Sequence, residues 1–316
     1  MPLLQSLLRC MPCALGLAAL PPAAAQAPAP TPAPIIVYTA GDIADCRYSR
    51  PQYSGAARTA AVVEAGIARD AAAGWRSAVL SLGDHTYPIG LEAEFRDCYA
   101  PTWGRFKDIT HPTPGNHEYY GGSADGYYGY FGAAAGPRGR GYYSFDLGAW
   151  HLVSLNSHMH GEEQRAQMLW LKDDLERHPR RCTLAYWHAP MYSSGGHSAS
   201  LHMQEAWRLL QAAGAELVLS GHDHDYERFA PLDADGKPDA QQGMRQFVIG
   251  TGGAFLTPFR WPHAHSEVRA NRQWGVLKLA LKEDGYDWEF LPADKGVHDP
   301  AAQPPDEPDS GSARCR

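Results

Sequence analysis

The chain has 316 residues, 44% of them hydrophobic and 11% aromatic, and carries a formal net charge of −7 at pH 7. This length and composition suit one large folded domain or two small ones, and sixteen Tyr with nine Trp are too many for a disordered chain. A net negative charge without a basic stripe excludes non-specific nucleic-acid binding.

Residues 1–25 read as a cleaved secretory signal. MPLLQSLLR carries one Arg, CMPCALGLAAL is a short apolar run, and PPAAAQA offers small residues for cleavage near Ala25 or Ala27. The run is too short to span a bilayer comfortably, and Pro12, Pro21 and Pro22 interrupt it as a helix. Residues 26–34 form a stiff Pro/Ala-rich leader, and the mature protein is expected to be secreted or periplasmic. Cleavage leaves Cys46, Cys98, Cys182 and Cys315, which allow three disulfide connectivities. Cys46–Cys98 is favoured, because each cysteine lies just beyond a strand end with a candidate ligand. Cys182–Cys315 then remains.

From Ile35 the chain alternates between strand and helix patterns. IIVYTAGD, SAVLSLGD, ITHPTPGNHE, HLVSLNS, TLAYWHAP, ELVLSGHDH and QFVIGTGG are short apolar runs that stop at Gly, Pro or polar clusters. Helical patterns run over about 55–73, 162–177 and 201–213, and WGVLKLALKEDGYDWEFL reads as a hairpin turning at Asp284-Gly285. The alternation predicts one α/β catalytic domain over 35–292, followed by a loose Pro/acidic tail over 293–316. Sites in such domains lie beyond the carboxyl ends of strands.

Five polar clusters stand at those ends: Gly41-Asp42, Gly83-Asp84 with Tyr87, Gly115-Asn116-His117-Glu118, His188 in YWHAP, and Gly221-His222-Asp223-His224. Singly each is weak, since Gly-Asp is often a turn and a lone His is often a core residue. Together they form a mixed oxygen and nitrogen donor set suited to Zn, Fe or Mn. The set is large for one metal and right for two sharing a carboxylate. Two metals about 3.5–4 Å apart can clamp the attacking and leaving oxygens of a phosphoryl transfer.

In order, the clusters read GDIA, GDHTY, GNHE, AYWH and GHDH over residues 41–224. This series resembles the calcineurin-like metallophosphoesterase superfamily and, within it, the purple acid phosphatases, whose pattern runs GDxG, GDxxY, GNH[DE], VxxH, GHxH. The resemblance implies a four-layer α/β/β/α sandwich of two mixed sheets. It implies that Asp42, Asp84, Tyr87 and His224 hold one metal, with Asp84 bridging to a second completed by Asn116, His188 and His222. Many relatives open with D-x-H, whereas Ile43-Ala44 follow Asp42 here. Tyr87 supplies the replacement ligand, and its hard phenolate suits Fe(III), leaving Fe(II), Zn or Mn for the second position. GDIA for GDxG and AYWH for VxxH are departures that delete no donor.

The implied chemistry is hydrolysis of a phosphate ester, by attack of a metal-bridging hydroxide, in a secreted acid phosphatase. A phosphodiesterase on the same scaffold is the alternative, and a non-catalytic metal-stabilised binding protein a remote one. By resemblance, His117 faces the substrate beside Asn116 and assists the leaving group, with Glu118 either orienting it or starting the next segment. A second substrate-facing histidine is expected in SSGGHSASLH, His197 ahead of His202. His85 is expected to turn away as an outer-sphere or surface residue, and His151 to lie in the core or on the opposite face. Gly250-Thr251-Gly252-Gly253 ends a strand close to the site.

Overall fold

The computed structural model describes residues 33–47, 50–197, 199–293 and 309–316. The expected signal segment, all but the last two residues of the Pro/Ala-rich leader, and most of the expected tail lie outside the described residues. The described strands in chain order are β1 (Ile35–Ala40), β2 (Ala44–Asp45), β3 (Arg76–Leu82), β4 (Thr86–Tyr87), β5 (Thr110–Thr113), β6 (Tyr143–Leu147), β7 (Trp150–Ser154) and β8 (Cys182–Tyr186). They continue with β9 (Leu217–Ser220), β10 (Tyr226–Phe229), β11 (Arg245–Ile249), β12 (Ser266–Ala270), β13 (Gly275–Leu281), β14 (Gly285–Pro292) and β15 (Ser310–Arg314). The α-helices are α1 (Gly55–Ala72), α2 (Glu92–Glu94), α3 (Asn116–Tyr120), α4 (Asp125–Phe131), α5 (Gly161–Arg177) and α6 (Gln204–Ala212).

One sheet has the order β15-β14-β13-β1-β3-β5 and the other β12-β10-β11-β9-β8-β7-β6, with β2 and β4 forming a small separate pair. β1, β3 and β5 run parallel in the first sheet, as do β7, β8, β9 and β11 in the second, with antiparallel strands outside them. Side-chain alternation gives the second sheet two apolar faces. Leu152, Leu184, Leu217, Leu219 and Phe247 join the core shared with the first sheet. Their neighbours Val153, Ala185, Val218 and Val248 pack instead with Met168 and Leu171 of α5 and Trp207 and Leu210 of α6. The first sheet carries α1, which begins at Ser54, whose side chain accepts from Ala57 N. The buried stripe of α1, Ala56, Thr59, Ala60, Val63, Gly66 and Asp70, is small enough for Tyr38 of β1 to reach Asp70 with its hydroxyl, 2.9 Å away. Helix, sheet, sheet, helix is the expected four-layer order.

The three helical patterns and the hairpin fall at their predicted positions. The end of the tail departs from the expectation of a loose segment. Ser310–Arg314 adds an antiparallel strand to β14, and Asp309 accepts from Tyr226 Oη (2.5 Å) and Arg228 Nε (2.9 Å). SGSAR has no apolar alternation to signal a strand; its place is set by backbone pairing and by the Tyr226 hydroxyl and Arg228 guanidinium of the second sheet. Cys46–Cys98 and Cys182–Cys315 are both disulfide-bonded, the second across 133 residues. No described helix is long and apolar enough to cross a membrane.

Replacing Cys182 and Cys315 together by Ser should lower the unfolding free energy by about 2–5 kcal/mol. Urea titration checks this. An unchanged midpoint would mean that the Asp309 contacts and β15 pairing hold the tail unaided.

Candidate metal centre

The candidate donors stand just beyond the carboxyl ends of parallel strands: Asp42 after β1, Asp84 after β3, Asn116 after β5, His188 after β8, and His222 and His224 after β9. Backbone bonds stitch these loops together. Gly41 N donates to Ile249 O across the two sheets (2.8 Å), Asp42 N to Gly83 O (3.1 Å) and Gly221 N to His188 O (2.9 Å). The loops approach so closely that a Cβ on Gly115 would overlap the Asp84 carboxylate, and one on Gly83 would lie 2.7 Å from Gly115 N. Asp42, Asp84 and His222 hold φ values of 59°, 48° and 72°. A left-handed backbone at a non-glycine residue costs on the order of 1–3 kcal/mol, so this strain falls on three of the donors.

Hydrogen-bond accounting shows what the donors face. His188 Nδ1 lies 2.7 Å from Leu82 O, and a carbonyl only accepts, so Nδ1 carries a proton and Nε2 is the nitrogen turned to the site, a lone pair once the ring is neutral. That Nε2 is 3.0 Å from Asn116 Oδ1, 3.2 Å from Asp84 Oδ2 and 3.2 Å from His222 Nδ1. Asn116 is turned this way because its Nδ2 donates to Tyr120 Oη, 2.8 Å away. On the other side His224 Nδ1 donates to Phe255 O (2.6 Å), leaving Nε2 3.2 Å from Asp42 Oδ1 and 3.0 Å from Tyr87 Oη. Tyr87 Oη is also 2.7 Å from Asp42 Oδ1 and 3.1 Å from Asp84 Oδ2. One hydroxyl hydrogen cannot satisfy three acceptors. Two groups of donor atoms, joined at Asp84, thus converge in a buried space, where only protons on the imidazoles offset the carboxylates when no cation is bound. A cation in each group resolves the conflict, and the residues fit two ions held by mixed oxygen and nitrogen donors.

The titration of these groups follows the same field. Burial alone would lower His188, but Asp84 and Asp42 outweigh it and hold the imidazole up to about 10. Burial likewise opposes ionisation of Asp84 and Asp42, yet the facing imidazoles keep both carboxyls below their usual range. Burial, then Asp42 and Asp84, push the Tyr87 phenol well above its ordinary value. A bound cation reverses that last direction.

His117 and His197 line the mouth of this centre, in a cavity of about 310 Å³ that also exposes Asp84, Tyr87, Asn116, His222 and His224. His117 Nδ1 donates to Pro88 O (2.6 Å), and its Nε2 lies 3.9 Å from Asp84 Oδ2. His197 is held by Asp223, whose Oδ1 accepts from the His197 backbone N (2.8 Å) and faces its Nδ1 (3.1 Å). Ser193 Oγ donates to the other Asp223 oxygen.

Glu118 and His85 each take one of the two alternatives expected for them, His202 is corrected, and His151 and the 250–253 run lie where expected. Glu118 does not orient His117; it is buried and accepts from Gly115 N (2.6 Å), Asp84 N (2.9 Å) and His85 N (2.8 Å), tying the two ligand turns together. His85 is not a surface residue, because its ring is buried among Phe95, Tyr99, Tyr127 and Phe131 with Nε2 2.8 Å from Ser81 Oγ. His202 stands apart from the cavity, its Nε2 meeting Ser157 O at 2.8 Å. His151 lies buried between Asp146 and Asp174, away from the centre. The 250–253 run braces the centre: Gly252 N donates to Gly41 O, and the next residue, Ala254, donates from its N to Asp42 O (each 2.9 Å). Sequence reasoning missed the anchoring roles of Glu118 and Asp223, although each sits inside a motif it singled out. It also missed Arg47, Tyr120 and Phe255 on the cavity wall, which carry no motif.

The calcineurin-like phosphoesterase family matches residues 34–226. Purple acid phosphatase 18 of Arabidopsis thaliana is 35% identical over 118 residues, 35% of this chain and 26% of that protein. The chain spans less than half the length of the plant relatives it matches. A purple acid phosphatase from yellow lupin seeds shares the fold with a TM-score of 0.60 at 18% identity, over 89% of this chain and 55% of that one. GAP50, the anchor in the inner membrane complex of Plasmodium, gives 0.64 at 14% identity over 90% of each chain.

Glu118→Ala strands three buried N–H donors. It should cost about 3 kcal/mol or more in stability and reduce bound metal. Urea titration of the metal-free protein and metal analysis check the two parts, and wild-type values in both would remove the anchoring role.

Proposed function

This chain belongs to the calcineurin-like phosphoesterase family, and from that premise we propose that it is an exported, two-metal phosphoric monoester hydrolase of purple acid phosphatase type. The observation that carries this reading is the meeting of all seven donors, Tyr87 included, beneath two imidazoles whose Nδ1 atoms are already anchored. Asp42, Asp84, Tyr87 and His224 would hold one ion, Fe(III) by the hardness of the phenolate. Asp84, Asn116, His188 and His222 would hold the other, Fe(II), Zn or Mn. When bound, the ions supply Lewis-acid activation of water and of the phosphoryl group.

The chain's own residues do the rest. Leu82 O and Phe255 O fix the tautomers of His188 and His224, so that both offer Nε2. Asn116 contributes a neutral oxygen, which limits the negative charge around the second ion. With Nδ1 bound to Pro88 O, the protonated His117 imidazole has only Nε2–H to give, and a departing alkoxide can take that proton. Asp223 fixes His197 in the equivalent way, with its Nε2 available to a phosphoryl oxygen.

Export is supported by the leader pattern of residues 1–25 and by two disulfides, which persist in oxidising compartments. A role purely as an anchor, the part GAP50 plays in the inner membrane complex of Plasmodium, is opposed by the completeness of the donor set.

His117→Ala should retain wild-type metal content and lose at least about 100-fold in turnover on an alkyl phosphate, with a smaller loss on an activated aryl phosphate. Metal analysis with steady-state kinetics on both esters checks this. Equal losses on the two would remove the proton-donor role.

A further inference from the structure

Four ring contacts cross the cleft in series. Tyr120 lies 4.5 Å from His117, His117 4.3 Å from Tyr87, Tyr87 5.7 Å from His224, and His224 4.8 Å from Phe255, all between ring centroids. The interior members serve the metal centre. The rings at the two ends hold no ion and are the exposed ones: Tyr120, whose hydroxyl braces Asn116, is 59% exposed, and Phe255, whose carbonyl braces His224, is 48% exposed. Arg47 lies over Phe255, 5.9 Å from its centroid, and also bonds both oxygens of Asp45.

Setting aside the metal donors and the two histidines, the cavity wall consists of Arg47, Pro88, Tyr120 and Phe255. A polyhydroxylated leaving group needs several hydroxyl, amide or carboxylate partners, and among the described residues this wall offers few. It offers flat apolar surface and one guanidinium, whose planar cation also prefers a ring face. The cavity, about 310 Å³, has room for a phosphoryl group and a bulky substituent beside it.

We infer that the preferred substrates are phosphomonoesters whose leaving group carries a planar aromatic ring system, with nucleoside 5′-monophosphates as the fitting class. This rests on the hydrolase reading above and adds the specificity wall formed by Tyr120 and Phe255. The phosphoryl end sits at the metal centre and the base packs against Phe255. Water adds to phosphorus as the P–O5′ bond breaks, and a proton passes to the departing oxygen, giving nucleoside and inorganic phosphate.

The test compares adenosine 5′-monophosphate with ribose 5-phosphate, which share the sugar alkoxide and differ in the base. With metal-loaded enzyme, kcat/KM should favour the nucleotide at least tenfold. In Phe255→Ala, which keeps the backbone carbonyl that holds His224, that ratio should fall towards one, whatever the change in kcat/KM for ribose 5-phosphate itself. A ratio near one in the wild type, or one unmoved by Phe255→Ala, overturns the specificity wall and leaves the hydrolase reading standing. No turnover of either ester overturns both.

Discussion

The arrangement depends on one carboxylate held where it is poorly solvated. Asp84 is buried in a left-handed backbone conformation and accepts from the His117 backbone N at 2.8 Å. Its other oxygen faces Tyr87 and His188 at 3.1 and 3.2 Å. Taking such a group out of water is costly unless positive charge comes with it. Every neighbouring feature answers that demand: Glu118 fixes the turn through backbone donors, and the anchored imidazoles turn lone pairs towards a shared space. Without metal, protons on His188 and His224 fill the role. With metal, the same field becomes affinity.

The remaining architecture keeps those groups in place. Parallel strands from two sheets deliver their carboxyl ends to one point, and glycines just before the donors let the loops pack backbone against backbone. The outer layers and the Cys182–Cys315 disulfide stabilise the platform from outside the site, whereas the Cys46–Cys98 disulfide stands beside it, with Cys46 N donating to Tyr87 O (3.1 Å). The terminal strand joins the edge of the first sheet and is tied by Asp309 to Tyr226 and Arg228 of the second. This constrains the relative position of the two sheets that share the centre.

Much of this was legible in the sequence because strand ends and metal ligands leave local marks. Gly-Asp, Gly-Asn-His and Gly-His-Asp-His are short patterns, each weak alone, and the candidate donors were named through the resemblance of their order to the family's. The disulfide partners were legible too, because Cys46 and Cys98 each stand just beyond a strand end with a candidate donor, which leaves Cys182 for Cys315. Position in space was not. Tyr120 and Phe255 reach the cleft only through the fold, and nothing in their flanking residues marks them. The buried role of His85 depends on aromatic rings from 95–131 that close over it. Strand β15 is polar and has meaning only against its partner.

Metal stoichiometry, read together with the visible spectrum, tests the central claim most directly. Protein loaded with iron and zinc is expected to bind two ions per chain and to show a phenolate-to-Fe(III) absorption band that disappears in Tyr87→Phe. A folded protein that binds fewer than one ion per chain under the same loading would contradict the claim that these converging lone pairs are built around cations.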